Sequence, residues 1–272
     1  MTATIRMVAT DLDGTLLRPD GAVSPRARAA LRAARARGLE VVIVTGRPPR
    51  GVRRLELRGC AAVAVCANGA LFYDLAADRL LDCRSIPAAV VTRLVADLRR
   101  AAPGAVFAAE AGLTFCRELA WPAGDLLDQR DAVVEDAPRF ADRGVAKLLV
   151  RHPRMDQKLL LPLAEAVAGD DAVVTRSGLE LLEVSAAGVT KASALQRLCD
   201  GLGIAAAEVV ALGDMVNDLP MLRWAGHAVA VAGAHPGVLA AADEVIAGND
   251  HDGVAAYLER LLTGGDVEGS GA

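Results

Sequence analysis

The stretch MVATDLDGTLLRPDG, residues 7–21, joins an apolar run to a pair of acids. Its first four residues are apolar or short, which predicts a strand that is covered on both faces. Asp11 and Asp13 follow directly, and residues two apart in an extended chain point the same way. The stretch therefore predicts two carboxylates that face one pocket at the end of a buried strand.

Strands and helices alternate regularly on both sides of the middle of the chain. The first third predicts strands at 5–11, 39–46 and 61–69 with helices at 25–37 and 49–58, and Ser24 is placed to cap the first of these helices. The last third predicts helices at 190–202, 217–224 and 252–262 and strands at 208–214, 227–233 and 243–247. This alternation indicates an α/β fold with a doubly wound, Rossmann-like parallel sheet.

The middle of the chain has a different pattern. Around two predicted helices, 87–101 and 156–168, strands follow strands without a helix between them, which is typical of antiparallel pairing. We therefore expect a core formed by 1–81 and 185–272, interrupted by an inserted α+β domain at 82–184.

Composition excludes several classes of partner. The net charge is −4, with 30 basic and 34 acidic residues, so we expect no nucleic acid as partner. No apolar stretch approaches the roughly 18 residues of a membrane span, and no secretion signal is visible, so we expect no membrane and a cytoplasmic location. The five cysteines include no Cys-x-x-Cys pair, which favours reduced thiols over a zinc site.

Polar residues gather where the predicted core strands end. Ligands of wound parallel sheets bind outside the carboxyl ends of the strands, so these residues are expected to line one cleft. Besides the two acids of the first strand, they are Thr45, Gly46 and Arg47 after the second, Asn68 after the third, and Asp214, Asn217 and Asp218 after the strand at 208–214, with Lys191 at the start of the preceding helix.

The charges of this set predict a metal ion. Four carboxylates, those of Asp11, Asp13, Asp214 and Asp218, face one ammonium, that of Lys191. Two like charges about 5 Å apart repel by about 3 kcal/mol at an effective dielectric near 20. A set of oxygen ligands with few carboxylates suits Mg²⁺.

The same residues suit phosphoryl transfer. An aspartate is a competent nucleophile towards phosphorus, and a second acid can protonate the departing oxygen and then activate water. The Lys191 ammonium and the Thr45 hydroxyl can hold the remaining phosphate oxygens. These residues therefore predict phosphoryl transfer through an aspartyl phosphate.

Four segments carry a resemblance to a known family. DLDGTLL at 11–17, VTGR at 44–47, GVTKASAL at 188–195 and GDMVNDLPML at 213–222 are similar, in this order, to the motifs of the haloacid dehalogenase-like phosphatases. CANGA at 66–70 and NDHDGVAAYL at 249–258 resemble the Cof-like sugar-phosphate phosphatase branch, and the likeness covers the whole chain. The insert lies where that branch carries its α+β cap domain.

The resemblance implies roles for individual residues. Asp11 would be the nucleophile and Asp13 the acid and base, with Thr45 and Lys191 binding phosphate. Mg²⁺ would be ligated by Asp11, the backbone carbonyl of Asp13 and Asp214, with Asp218 beside it. Gly46, Arg47, Asn68 and Asn217 would complete the pocket. The chain departs from the family where Lys191-Ala192 replaces a frequent Lys-Gly and where Gly233-Ala234 replaces a frequent Asn-Ala.

The function expected from these observations is a Mg²⁺-dependent phosphatase of small phosphorylated metabolites, sugar phosphates first, that forms an aspartyl phosphate. A phosphomutase or phosphotransferase acting on sugar phosphates, and a non-catalytic phospho-switch, are the alternatives.

The cap residues considered for substrate selection are Arg117, Lys147 and Glu183. We expect a monomer or homodimer. For Asn68, a role in a tight turn and a role in the pocket are both considered. Asn249 is expected to be a turn or cap residue.

Overall fold

The structure, a computed structural model, describes residues 4–122, 129, 131–176 and 180–264. Contacts between Cα atoms divide it into two units. The first comprises the described residues of Met1–Arg47, Val52–Arg79 and Thr190–Ala272, and the second comprises those of Pro48–Gly51 and Leu80–Val189. The predicted domain limits, at 82 and 184, stay a prediction.

The described residues of the two units form fourteen strands and eight α-helices. The strands are β1 (Met7–Thr10), β2 (Glu40–Val44), β3 (Val63–Cys66), β4 (Leu71–Asp74), β5 (Arg79–Cys83), β6 (Val106–Ala111), β7 (Thr114–Arg117), β8 (Val133–Val134), β9 (Lys147–Arg151), β10 (Ala172–Arg176), β11 (Leu182–Ala186), β12 (Val209–Gly213), β13 (His227–Val231) and β14 (Glu244–Ile246). The helices are α1 (Pro25–Ala36), α2 (Pro49–Arg53), α3 (Ala88–Ala101), α4 (Gln157–Ala168), α5 (Lys191–Leu202), α6 (Leu219–Trp224), α7 (Pro236–Leu239) and α8 (Gly253–Leu262).

One sheet has eight strands, in the order β14-β13-β12-β1-β2-β3-β4-β5. The pairs from β14 to β3 are parallel, and β4 runs antiparallel to β3. The parallel-rich sheet confirms the predicted α/β class. The sequence pattern predicts no strand at β4 or β5. The β4 segment, LFYD, has four residues, which is too short to show the alternation of apolar and polar residues typical of a strand.

Local sequence explains where the elements of this sheet begin and end. The VVIV run of β2 is buried, as expected for a strand covered on both faces. The Ser24 hydroxyl caps α1 by accepting from the Ala27 N–H at 2.9 Å, and Pro25 occupies the first turn of the helix. Gly38, at φ +87°, lets the chain leave the helix and enter β2.

The second unit contains a six-stranded sheet in the order β10-β11-β9-β6-β7-β8. Its strands pair antiparallel except for β7 with β8, as the strand-after-strand pattern indicates. One core joins α3 and α4 to buried side chains of these strands, among them Phe107, Leu148 and Val184. Within the described ranges, no helix of either unit is long and apolar enough to cross a bilayer.

Candidate active site

A buried ion triad lies where β1 ends. Asp11 directly follows this strand, and its N–H donates to the Leu212 carbonyl of β12 at 3.0 Å. Lys191 is the first residue of α5, and its Nζ donates to Asp11 Oδ1 at 2.7 Å and to Asp218 Oδ1 at 2.5 Å. The exposed fractions of Asp11, Lys191 and Asp218 are only 5%, 1% and 0%. One buried ammonium thus pairs with two buried carboxylates.

Burial controls the protonation of the triad. Burial raises the pKa of Asp11 to about 8, against the opposing effect of the Lys191 ammonium. Burial also lowers the pKa of Lys191, but the carboxylates of Asp11 and Asp218 outweigh that effect and hold the pKa above its ordinary value. Lys191 therefore stays cationic, whereas Asp11 needs additional positive charge to ionise fully near neutral pH.

Asp218 is engaged through both of its carboxylate oxygens. Oδ1 accepts from Lys191, and Oδ2 accepts from the backbone N–H groups of Asp214 at 3.0 Å and Met215 at 2.9 Å. A side chain at Gly213 would place its Cβ 2.6 Å from the Asp218 Cβ. Asp218 therefore orients Lys191 and fixes the loop after β12 at the same time.

Asp214 is oriented by the turn that follows Asp11. The Thr15 hydroxyl donates to Asp214 Oδ1 at 2.8 Å, and a Cβ at Gly14 would overlap Asp214 Oδ2. Burial raises the pKa of Asp214 to about 6. The sequence pattern does not single out Thr15, although it lies in the stretch at 7–21, two residues after Asp13.

Asp13 and the loop after β2 form a second cluster. The Arg47 guanidinium donates to both Asp13 oxygens, from Nε at 2.7 Å and from Nη2 at 2.5 Å. The Asp13 side chain is 56% exposed, in contrast to the buried acids of the triad. Thr45 is fully buried, and its hydroxyl accepts from the Arg47 N–H at 3.1 Å. The ion pair links the turn after β1 to the loop after β2.

The loop after β3 joins this cluster through backbone conformations that are rare for residues with a side chain. Ala67 and Asn68 have φ of +51° and +56°. The Asn68 N–H donates to the Thr45 carbonyl at 3.0 Å, and Asn217 Nδ2 donates to Asn68 Oδ1 at 3.3 Å. A Cβ at Gly46 would lie 3.1 Å from Asn68 Oδ1, so the two loops approach closely. Asn68 thus acts both in the turn and in the contact between loops.

The residues present fit a divalent cation. Asp11, Asp214 and Asp218 each offer a carboxylate oxygen, and these atoms lie within 4.8 Å of one another. Carboxylate oxygens are the ligands that Mg²⁺ prefers, and a bound cation would favour the ionised form of Asp11 and Asp214, whose pKa values are raised mainly by burial and further by neighbouring carboxylates. The Asp13 carboxylate lies outside this group, because it pairs with Arg47.

The structure brings the predicted residues together within the first unit. They are Asp11 and Asp13 after β1, Thr45, Gly46 and Arg47 after β2, Asn68 after β3, Asp214, Asn217 and Asp218 after β12, and Lys191 at the start of α5. The parallel strands explain this convergence, because their carboxyl ends share one edge of the sheet.

Comparison with known proteins agrees with this geometry. The family model for haloacid dehalogenase-like hydrolases matches residues 8–258. Pyridoxal phosphate phosphatase YbhA of Escherichia coli is 27% identical, with 90% of this chain and 94% of the relative covered. The 5-amino-6-(5-phospho-D-ribitylamino)uracil phosphatase YcsE of Bacillus subtilis is 28% identical, with 89% of each chain covered. A crystal structure of a haloacid dehalogenase-like hydrolase from Bacteroides thetaiotaomicron is similar at a TM-score of 0.80 and 27% identity, covering 95% of this chain and 100% of that one.

Proposed function

Since the chain belongs to the haloacid dehalogenase-like hydrolases and is a phosphoric monoester hydrolase, we propose that it hydrolyses small phosphorylated metabolites, sugar phosphates first, through an aspartyl phosphate on Asp11 and with Mg²⁺ as cofactor. The observation that carries this proposal is the buried contact between Lys191 and Asp11. It places a fixed cation beside the acid that must meet a phosphate dianion.

Asp11 supplies the nucleophilic oxygen. Lys191 occupies Oδ1, so we assign the attack on phosphorus to Oδ2. The new bond from Oδ2 to phosphorus forms as the bond from phosphorus to the ester oxygen breaks, and the product is an alcohol and an acyl phosphate. We assign Lys191 and the Thr45 hydroxyl to the other phosphate oxygens during this step.

Asp13 moves the protons. Its half-exposed side chain can give a proton to the departing ester oxygen and then take one from the water that hydrolyses the acyl phosphate. The second step releases inorganic phosphate and restores Asp11. Because Arg47 engages both Asp13 oxygens, one of these hydrogen bonds must open before Asp13 can reach the leaving group.

The metal would be held by Asp11, Asp214 and the Asp13 backbone carbonyl, with Asp218 beside it. When bound, Mg²⁺ offsets the repulsion between the Asp11 carboxylate and the phosphate dianion. Thr15 serves this arrangement by fixing the Asp214 carboxylate through its hydroxyl.

The names of the relatives support the substrate class. One acts on pyridoxal phosphate and the other on a phosphorylated ribitylamino compound, both of which are small phosphate esters. The substrate named for the second relative carries its phosphate on a ribityl chain, which is derived from a sugar. Sugar phosphates are therefore the first group to test. A cytoplasmic location and a monomeric or homodimeric state stay predictions.

The test measures phosphate release from a panel of sugar phosphates, pyridoxal phosphate and p-nitrophenyl phosphate. We expect turnover by the wild-type chain in Mg²⁺, loss on adding a chelator, and at least about a thousandfold loss in Asp11→Asn. Asp20→Asn is the matched control, because Asp20 is an exposed acid of the same stretch. Acid quenching should trap labelled phosphate on Asp11.

Persistent turnover in Asp11→Asn or in the chelated enzyme would contradict the proposal. Adding an acceptor sugar distinguishes the alternative class, because a phosphomutase or transferase would form a new sugar phosphate in place of inorganic phosphate.

A further inference from the structure

A segment near the end of the sequence contacts the turn that carries the proposed nucleophile. We call residues 249–252 the C-terminal brace. The Asn249 Nδ2 donates to the Leu17 carbonyl at 2.6 Å, across 232 sequence positions. Leu17 is 1% exposed, and its own N–H donates to the Leu12 carbonyl at 2.8 Å, which closes the turn. Asn249 therefore contacts the residue at which the turn ends.

Arg18, the residue directly after the turn, makes further contacts with the brace. Arg18 Nη2 donates to the Asp250 carbonyl at 3.0 Å, and Arg18 Nη1 lies 3.6 Å from Asp252 Oδ2. Leu17, the last residue of the turn, and Arg18, which follows it, thus contact the brace through three interactions.

Backbone hydrogen bonds and a close approach hold the brace. The N–H groups of His251 and Gly253 both donate to the Gly248 carbonyl, at 3.0 and 3.2 Å. Asp252 has φ +54°, and a Cβ at Gly253 would overlap the Ala247 carbonyl oxygen. Helix α8 starts directly after the brace, and its buried side chains anchor it in the first unit. The brace is therefore fixed by its own hydrogen bonds and by the buried helix that follows it.

The turn from Asp11 to Leu17 is consequently fixed at both ends. At its start the Asp11 N–H binds the Leu212 carbonyl, and at its end the Leu17 carbonyl binds Asn249. We propose that Asn249 is a positioning residue for phosphoryl transfer, holding the turn so that Asp11 and Asp13 keep their orientation. This inference rests on the proposed function, because it assigns Asn249 to the same reaction.

The proposal predicts a specific kinetic signature. A displacement of about 1 Å at reacting atoms can lower the rate about a hundredfold. Thr45 and Lys191 belong to other elements, so phosphate binding should be preserved when the turn shifts. We expect Asn249→Ala to lower kcat about 10- to 100-fold and to change KM less than about twofold.

The experiment compares Asn249→Ala with Asn249→Asp, which keeps the size of the side chain and removes its N–H donor. Both should show the loss in kcat. Arg26→Gln is the control, because Arg26 hydrogen-bonds Glu259 of α8 at the surface, from Nε to Oε1 at 2.9 Å, and acts on Asp252 of the brace only through its charge. Arg18→Met removes the contacts of Arg18 with the brace. Because the Arg18 side chain is half-exposed and its loss leaves no buried gap, we expect kcat to fall only about threefold with KM unchanged.

Thermal unfolding of each variant separates positioning from stability. Asn249 variants with a lower Tm but unchanged kcat per folded molecule would overturn the inference, as would a rise in KM at unchanged kcat. A full effect in Arg26→Gln would also overturn it. Inactivity of the wild-type chain, or activity in Asp11→Asn, would instead contradict the proposed function.

Discussion

Gly14 shows how little space a single residue leaves in this site. Its φ is +82°, and a Cβ there would overlap the Asp214 carboxylate. Gly21 offers a matched comparison, because its φ is +78° and no atom lies within 4 Å of a Cβ built there. The two glycines share a backbone conformation and differ in what surrounds them.

Replacing each of these glycines by alanine should therefore separate strain from steric overlap. Both variants should lose about 1 kcal/mol of unfolding free energy from the left-handed backbone, measured by urea denaturation. Only Gly14→Ala should also displace Asp214, with at least about a hundredfold loss in kcat/KM. Similar activity in the two variants would contradict the role of close approach at Gly14.

The raised pKa values of two carboxyl groups predict how Mg²⁺ stabilisation depends on pH. Burial raises the pKa of Asp11 to about 8 and that of Asp214 to about 6. A raised carboxyl pKa means that, without metal, the associated stability is present at low pH and is lost as pH rises through these values. Protons and metal compete for the same oxygens, so Mg²⁺ should bind more tightly as pH rises.

We therefore expect the increase in Tm on adding Mg²⁺ to be larger at pH 8 than at pH 6. The measurement is thermal unfolding at matched ionic strength, with and without the metal. Lys191, Asp218 and Asp214 also act on the pKa of Asp11, so Asp11→Asn is the control and should flatten the dependence. An equal increase in Tm at both pH values would contradict the link between burial and metal binding.

At the scale of elements, the start of helix α5 sets the position of Lys191. The Thr190 hydroxyl accepts from the Ser193 N–H at 3.0 Å, and the Ser193 hydroxyl accepts from the Thr190 N–H at 3.0 Å. A Cβ at Gly69 would overlap the Thr190 carbonyl, so the loop after β3 lies against this helix start. The cap therefore has a structural role for the helix and a positional role for Lys191.

Removing two helix caps should distinguish these roles. Thr190→Ala and Ser24→Ala each delete an N-cap hydroxyl and should each lower the free energy of unfolding by about 1 kcal/mol. Only Thr190→Ala should lower kcat, about fivefold or more, because α1 carries no predicted site residue. The measurement pairs urea unfolding with phosphate release; an equal loss of activity in both variants would count against the positional role.

At the scale of the whole molecule, burial predicts which thiols react. Cys83 is exposed, whereas Cys60, Cys66, Cys116 and Cys199 are buried. Burial raises the pKa of Cys116 and of Cys199 to about 11, which lowers their thiolate fraction further.

We therefore expect the native chain to react rapidly with a thiol reagent at a single residue near pH 8. All five thiols should react after unfolding in denaturant. Cys83→Ser should remove the rapid phase, and two or more rapid thiols in the native chain would show that the packing around the others opens readily.

The sequence by itself determined which polar residues follow the strands of the first unit. Asp11 follows β1, Thr45 follows β2 and Asp214 follows β12, and each was predicted from an apolar run that stops at a polar residue. Such a pattern is local, because a buried strand and its end lie within a few residues. The parallel arrangement then places the strand ends at one edge without further information.

Only the tertiary structure decided which side chains are partners. Lys191 meets Asp11 across 180 positions, and Arg47 engages Asp13 across 34. Asn249, expected as a turn or cap residue, meets Leu17 across 232 positions. These pairings depend on loop conformations and helix placement, such as the left-handed backbone at Asn68 and the cap at Thr190. No local pattern encodes them, because a hydrogen bond needs its two atoms placed to within a few tenths of an ångström, and only the packed fold does that.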